Sequence, residues 1–389
     1  MRPALLLFLM ACGPGTDGDT GNLAPDPAPS ETETETTEPP GISLDSDLRV
    51  LKNQWGVPSL AAAVVNGTEV LAVGASGKRR EGEAGKVTWQ DDYHLGSVTK
   101  AFTAMLVGRL VDQGSLTWDH ALTDTFAGAD PAWDDVTVEM LLRHEGGTTP
   151  SLAETHPTLW ASLWADGDAD PSATRADFAH QYLAAPPSET PGSPLYSNAG
   201  YVLVGAVLEA ELGAAWETLL QEEVLDPLDM TGCGFGPPMD PTPDDQPWGH
   251  ADLGGGSLVP MDPTTPESDN PPALGPAGTL HCPLVEWARF GQAHLNAASG
   301  DTAFLSVDTT ARLQTYQGTE FTAGMLYTEE QPWADGPALT LTGSNTLWLA
   351  TIWIAPGIDR AYVTATNVGN SDAFMATNEA VLLGIELDD

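Results

Sequence analysis

Residues 93–100 read Tyr-His-Leu-Gly-Ser-Val-Thr-Lys and lead into a long apolar run that is typical of a helix. The pattern predicts a helix from residue 97 to about residue 113. Side chains three positions apart share one face of a helix, so Lys100 is expected beside the hydroxyl of Ser97. A serine is a weak nucleophile until a neighbouring base removes its proton. The alternative is that Ser97 caps the helix and Lys100 is a solvated first-turn residue.

Two further motifs follow in order. The first is Tyr-Ser-Asn at residues 196–198, before an apolar helical run. The second is Leu-Thr-Gly-Ser at residues 341–344, shortly before a run that is typical of a buried strand. A short motif gains meaning from such partners. The chain has only four lysines, so a lysine three residues after a serine at the start of a helix is unlikely to occur by chance.

Ser-x-x-Lys, Tyr-x-Asn and Thr-Gly in this order resemble the motifs of penicillin-recognising serine hydrolases. From about residue 44 onward, the chain resembles their class C β-lactamase branch, which includes β-lactamase-related esterases and D-alanyl-D-alanine carboxypeptidases. Leu-Leu-Arg-His-Glu-Gly-Gly at residues 141–147 also fits this branch. The resemblance implies an α+β fold, in which an antiparallel β-sheet flanked by helices joins a mostly helical lobe and the site lies between them.

The resemblance also implies a role for each motif residue. Ser97 would attack a carbonyl to form an acyl-enzyme, with Lys100 and Tyr196 transferring the protons. The backbone N–H groups of Ser97 and Ser344 would form the oxyanion hole. Asn198 would donate a hydrogen bond to substrate or to Lys100; the alternative is that it caps the helix that follows it, and the two roles are compatible. The expected substrate-binding residues are Asn198, Thr342, Gly343 and Ser344.

The third motif departs from the branch at Leu341, where lysine or histidine usually precedes Thr-Gly. A cation there would attract a substrate carboxylate or support proton movement around the tyrosine, and leucine does neither. The departure favours a neutral ester or amide as substrate over a carboxylate-bearing β-lactam or peptide. It also motivates an alternative, a catalytically weak or silent scaffold that acts as a cell-surface binding protein. A Ser-His-Asp hydrolase is disfavoured, because the sequence contains no Gly-x-Ser-x-Gly elbow.

The N-terminal residues 1–12 resemble a lipoprotein signal peptide. One arginine precedes a short apolar run ending in Leu-Met-Ala-Cys at residues 9–12, too short to span a membrane. Cys12 is the predicted lipidation site, so we expect an exported protein anchored in the periplasm or at the cell surface by acyl chains. If this site is not used, the protein is expected to be secreted. Residues 13–41 are rich in Thr, Glu and Pro and predict a disordered acidic linker.

Residues 42–389 have the composition of a globular domain, which the motifs identify as the expected serine hydrolase domain. Strand-like segments predict a sheet lobe from residues 42–95 and 300–389. The intervening residues 96–299 predict the helical lobe. Asn-Gly between two apolar runs at residues 66–67 predicts a β-hairpin.

The formal net charge of −41 comes from 55 acidic residues against 14 Lys and Arg. Nucleic acid is therefore not an expected partner, since phosphate binding needs a basic face. The expected partner is a small-molecule ester, amide or cell-wall peptide. The eight histidines lack metal-ligand spacing, so no metal or cofactor is expected. With Cys12 assigned to lipid, Cys233 and Cys282 are predicted to pair as a disulfide in an oxidising compartment.

Overall fold

A seven-stranded β-sheet is built from the beginning and the end of the described chain. The structure, a computed structural model, describes residues 38–164, 170–239, 242 and 245–387. Its strands are β1 (Ile42–Ser43), β2 (Ser59–Val65), β3 (Val70–Gly77), β4 (Asp92–His94), β5 (Gly234–Phe235), β6 (His250–Asp252), β7 (Leu258–Pro260), β8 (Leu280–Pro283), β9 (Leu326–Gln331), β10 (Gly336–Ser344), β11 (Leu349–Ala355) and β12 (Arg360–Thr366).

The seven strands are ordered β1-β3-β2-β12-β11-β10-β9. Neighbours are antiparallel except for the two-residue β1, which runs parallel to β3 at the edge. The predicted hairpin joins β2 to β3, and Asn66 stabilises it because its side-chain oxygen accepts from the N–H groups of Thr68 and Glu69. Together with the helices around the sheet, this confirms the predicted α+β class.

Most helices lie between the two sheet-forming parts of the chain. They are α1 (Asp45–Trp55), α2 (Thr99–Asp112), α3 (Leu122–Thr125), α4 (Val138–Leu142), α5 (Leu152–Thr155), α6 (Pro157–Ser162), α7 (Pro171–Leu183), α8 (Asn198–Leu212), α9 (Trp216–Leu220), α10 (Gly275–Gly278), α11 (Leu284–Ala298), α12 (Val307–Gln314) and α13 (Ser371–Glu386). The central helices α2 and α8 are buried along most of their length, as expected for helices that are apolar on every side.

The segment 96–299 differs from the predicted helical lobe in two ways. First, α11 packs on β12 and β2 of the main sheet, and Gly291 permits the close approach because a Cβ there would lie 2.7 Å from the Ala361 Cβ. Second, the segment contains β5 and β8, which form a small sheet with β4 in the order β4-β8-β5, and it contains the hairpin β6–β7. These strands are too short for a clear alternation of polar and apolar residues, so the sequence did not reveal them.

A disulfide joins Cys233, just before β5, to Cys282 in β8. Cys282 lies opposite Tyr93 of β4 in the same small sheet. The crosslink therefore fixes the sheet from which the chain passes to Ser97. The predicted lipidation site Cys12, and the predicted signal peptide and linker up to residue 37, lie outside the described residues.

Among the residues that the structure describes, no single helix is long and apolar enough to cross a bilayer. The segments Asn198–Leu212 and Trp216–Leu225 reach that length and apolarity only as a pair, which is bent by 85°.

Candidate active site

Ser97 lies in a tight turn between β4 and α2. A 3-10 turn covers Gly96–Val98, so the α-helix begins two residues later than predicted. Gly96 has a φ of 50°, in the left-handed region that favours glycine. Ser97 is partly exposed, whereas its neighbours from Asp91 to Lys100 are buried. The turn therefore presents the serine from a rigid, buried frame.

Two side chains converge on the Ser97 hydroxyl. Lys100 Nζ donates a hydrogen bond of 3.1 Å to Ser97 Oγ, and the Tyr196 hydroxyl donates one of 2.7 Å. Tyr196 arrives from the segment just before α8, far away in sequence. The structure thus brings together the three residues that the sequence singled out as catalytic. In this arrangement a proton can move between the serine, the lysine and the tyrosine.

Lys100 is almost completely buried, at 1% exposure. Its ammonium also donates a hydrogen bond of 2.6 Å to the carbonyl oxygen of Ala277 in α10. Burial lowers the pKa of Lys100 from its usual 10.5, and the neighbouring Tyr196 partly opposes this shift. A lysine with a lowered pKa is more readily neutral, and only neutral lysine can accept the serine proton.

His144 holds the segment that carries Tyr196. Its Nδ1 accepts from the N–H of Ser197 at 3.1 Å, its carbonyl accepts from the N–H of Leu195 at 2.8 Å, and its ring lies 4.5 Å from that of Tyr196. Burial, and then the charge of Lys100, lower the pKa of His144 to about 3. The imidazole is therefore neutral at pH 7 and orients the tyrosine.

Asn198 is the first residue of α8, and Ser197 occupies the N-cap position. The prediction that Asn198 caps the helix is therefore wrong, because the cap lies one residue earlier. Within the described part of the chain, the Asn198 amide has no hydrogen-bond partner. The amide is therefore available for a hydrogen bond to a ligand, or to Lys100 if the lysine side chain moves.

The end of β10 packs directly on the nucleophile turn. Strand β9 pairs with β10 only as far as Thr340, so no described strand pairs with the outer edge of β10 beyond that residue. A Cβ at Gly343 would lie 2.6 Å from the backbone nitrogen of Ser97, and one at Gly96 would lie 2.4 Å from that of Ser344. Glycine at both positions lets the two backbones meet. The backbone nitrogens of Ser97 and Ser344 thus lie on adjoining segments, as an oxyanion hole requires.

The side chains of Thr342 and Ser344 are engaged elsewhere. The Thr342 hydroxyl lies 3.1 Å from that of Thr351, which in turn bonds Thr377 of α13 on the far face of the sheet. The Ser344 hydroxyl donates to the carbonyl of Trp348 and accepts from the N–H of Thr346. Thr342 and Ser344, both predicted to bind substrate, can therefore bind a ligand only through their backbone groups.

Leu341 lies in the main hydrophobic core at 6% exposure. It shares a face of β10 with Gly343, two residues along the strand, so it is directed to the side on which Ser97 lies. The cation common at this position in the class C branch is therefore replaced by a packed apolar side chain. His144, the histidine in contact with Tyr196, does not restore a positive charge because it is neutral.

Sequence reasoning missed the carbonyl of Ala277 as a partner of Lys100. It also missed Asp269, a buried carboxylate that contacts His94 and Asn345. No sequence signal points to either, since a backbone carbonyl carries no residue identity and Asp269 lies in a Pro-rich loop. Among the described residues, no group of three or more His, Cys, Asp or Glu side chains is arranged to hold a metal ion.

The sequence matches a protein-family model and several known proteins. The protein-family model described as Beta-lactamase matches residues 44–385. Penicillin-binding protein 4 of Amycolatopsis lactamdurans is 30% identical over 184 residues, which cover 46% of this chain and 45% of that protein. Esterase EstB of Burkholderia gladioli is 32% identical over 160 residues, covering 39% of this chain and 41% of the esterase. The chain thus spans less than half the length of these curated relatives.

Solved structures share the fold over most of the chain. A penicillin-binding protein from Bacillus halodurans superposes with a TM-score of 0.68 at 20% identity, covering 88% of this chain and 100% of that one. A D-amino acid amidase from Ochrobactrum anthropi SV3, complexed with L-phenylalanine, gives 0.66 at 18% identity, covering 88% and 98%.

Proposed function

Because the chain belongs to the β-lactamase family, we propose that it is a serine hydrolase that acts through an acyl-enzyme on a small ester or amide. The observation that carries this proposal is the convergence of Lys100 Nζ and the Tyr196 hydroxyl on Ser97 Oγ, at 3.1 and 2.7 Å. Both distances are within hydrogen-bond range, which is the geometry required of a nucleophile and its base.

Acylation begins when Ser97 Oγ attacks the substrate carbonyl carbon. The serine proton passes to the Lys100–Tyr196 pair, and the carbonyl oxygen becomes an oxyanion bound by the backbone N–H groups of Ser97 and Ser344. When the carbon–oxygen or carbon–nitrogen bond breaks, the pair returns the proton to the leaving alcohol or amine. Water then attacks the acyl carbonyl with the same assistance, which releases the acid and restores Ser97.

The preferred substrate is a neutral ester or amide, with the ester slightly favoured. Leu341 occupies the position on β10 where a lysine or histidine would bind a substrate carboxylate, and leucine carries no charge. The net charge of −41 also repels anionic substrates at low ionic strength. The names of two similar proteins are in keeping with ester and amide substrates, since one is an esterase and the other a D-amino acid amidase.

The proposal extends to location outside the cytoplasm, with Cys12 lipidated and holding the domain at a membrane surface. Pairing of Cys233 with Cys282 supports an oxidising compartment, because disulfides are rare in the reducing cytosol. Metabolic labelling with a fatty-acid probe tests the anchor: wild type should be labelled and Cys12→Ser should not. Equal labelling of both proteins would contradict lipidation at Cys12.

Intact-protein mass spectrometry tests the chemistry. The domain from residue 42 onward is exposed to a fluorophosphonate and, separately, to a penicillin, alongside Ser97→Ala and the control Ser46→Ala, which alters an exposed serine of α1. We expect a fluorophosphonate adduct on wild type and Ser46→Ala but not on Ser97→Ala. No adduct on folded wild type would favour the silent binding scaffold. A penicillin adduct would contradict the preference for neutral substrates.

A further inference from the structure

Three segments of the site meet at one buried carboxylate that the proposed mechanism does not use. Asp269 lies in the long loop before α10, and its side chain is 7% exposed. Its Oδ1 accepts hydrogen bonds from the Asn270 N–H at 2.7 Å and the Asn345 amide at 2.8 Å. The same oxygen lies 2.8 Å from His94 Nε2.

The first segment is the nucleophile turn, reached through His94 of β4. The fully buried His94 accepts the N–H of Gly96 on Nδ1 at 3.0 Å, so in the neutral ring the proton sits on Nε2, facing Asp269. Gly96 immediately precedes Ser97. A shift of Asp269 would therefore be transmitted through one imidazole ring to the backbone that carries the nucleophile.

The second segment is the oxyanion edge of β10. Asn345 follows Ser344 directly, and its side-chain oxygen accepts from the N–H groups of Leu347 and Trp348, both at 3.1 Å. Its amide nitrogen is the group that donates to Asp269. The carboxylate thus anchors the turn that fixes where the Ser344 backbone lies.

The third segment carries the acceptor for Lys100. Asn270 donates a hydrogen bond of 2.8 Å to the carbonyl of Gly278, next to Ala277, whose carbonyl binds the Lys100 ammonium. Asn270 is itself tied to Asp269 through its backbone N–H. One carboxylate therefore connects the surroundings of the nucleophile, the oxyanion hole and the lysine.

The network is also incompletely satisfied. The contact between His94 and Asp269 is short but poorly aligned, and both His94 Nε2 and Asp269 Oδ2 lack hydrogen-bond partners within the described residues. A buried polar group without a hydrogen-bond partner destabilises the folded state. A packing role alone would be better served by apolar side chains, whereas a network that orients reacting groups needs its polar members.

We propose that Asp269 is a positioning residue for the site. Through His94 it fixes the position of the Ser97 turn, and through Asn345 it fixes the Ser344 backbone. Through Asn270 it fixes the segment that carries the Ala277 carbonyl. The inference rests on the proposed function, because what it positions is the acyl-transfer site. It assigns to Asp269 no contact with substrate.

The first test is Asp269→Asn, which keeps the side-chain shape but removes the charge that attracts three donors. Glu267→Gln is the matched control, because it makes the same chemical change at an exposed residue two positions earlier. We expect Asp269→Asn to lower kcat on a neutral ester and the rate of fluorophosphonate labelling by roughly 10- to 100-fold with little change in KM, as for a misplaced reacting group. The control should match wild type. Wild-type rates in folded Asp269→Asn would overturn the proposal.

The second test compares His94→Gln with His94→Leu and remains decisive if Asp269→Asn fails to fold. Glutamine can accept from Gly96 and donate to Asp269, whereas leucine fills a similar volume and can do neither. We expect the glutamine variant to retain most of the labelling rate and the leucine variant to lose it, with similar melting temperatures. Equal rates in the two folded variants would overturn the positioning role.

The two proposals fail in different ways. If wild type takes no fluorophosphonate, the proposed function fails. If wild type is labelled at Ser97 and the Asp269 and His94 variants are labelled equally fast, the hydrolase chemistry stands and only the positioning network is overturned.

Discussion

The Tyr196 hydroxyl donates a hydrogen bond to Ser97 Oγ from a residue that is 36% exposed, whereas Lys100, which donates a hydrogen bond to the same oxygen, is 1% exposed. The two partners of the nucleophile therefore lie in different environments. Burial in the protein lowers the pKa of the lysine, whereas the exposed tyrosine can contact both the serine and a substrate that enters from the solvent. This difference suggests that Tyr196 delivers the proton to the leaving group.

Tyr196→Phe removes only the hydroxyl and keeps the ring that packs on His144. We expect the rate of fluorophosphonate labelling to fall by roughly 10²- to 10⁴-fold, the usual contribution of a positioned acid or base. The melting temperature should remain near that of wild type. Tyr316→Phe, which alters an exposed tyrosine, is the control. Unchanged labelling of Tyr196→Phe would assign the proton transfer to Lys100 without the tyrosine.

Lys100→Met replaces a buried amine with an apolar side chain of similar length. Labelling should fall by at least about 10²-fold. Because burial lowers the pKa of Lys100 below 10.5, the unfolded state binds more protons between the two pKa values. Wild type should therefore gain stability relative to the variant as pH rises from the lowered pKa toward 10.5. Thermal unfolding of both proteins at pH values between the lowered pKa and 10.5 measures this gain in stability. A difference in stability that does not change with pH would contradict the lowered pKa of Lys100.

Leu341→Lys restores the cation that is usual in the class C branch. A hydrogen bond to a charged group contributes about 1.5–3 kcal/mol, so the variant should process a carboxylate-bearing ester roughly 10- to 100-fold faster relative to a neutral one. Leu341→Met controls for altered packing. The melting temperature should fall, because the site is buried. If the folded lysine variant shows no gain, the missing cation is not what sets substrate preference.

His144 should make the protein sensitive to acid. Its pKa is about 3 in the folded state against a usual 6.5, so the unfolded state binds more protons between these values. Its contribution to stability is complete above pH 6.5 and is lost as the pH falls toward 3. His144→Gln should therefore lose less stability than wild type over this interval, whereas His156→Gln, at a partly exposed site, should follow wild type. Parallel curves for wild type and His144→Gln would contradict the lowered pKa.

Much of the fold could be predicted because its signals are local. The apolar run after Lys100 predicted α2 to within two residues at each end, and Asn-Gly at residues 66–67 predicted the hairpin between β2 and β3. The start of α2 differs from the prediction by two residues, because a 3-10 turn with Gly96 at a φ of 50° precedes the α-helix. Boundaries of this kind depend on backbone conformations that apolar patterning does not specify.

The sequence by itself determined the fold class and the motif residues, because the offset from Ser97 to Lys100 is set by helix geometry and the apolar runs determine which segments are buried. Only the tertiary structure decided how distant segments meet. It brought Tyr196 to Ser97, turned the Thr342 hydroxyl toward α13, buried Leu341 on the face shared with Gly343, and collected three segments on Asp269. Such contacts depend on how helices and strands pack across long sequence separations, and no local pattern encodes that packing.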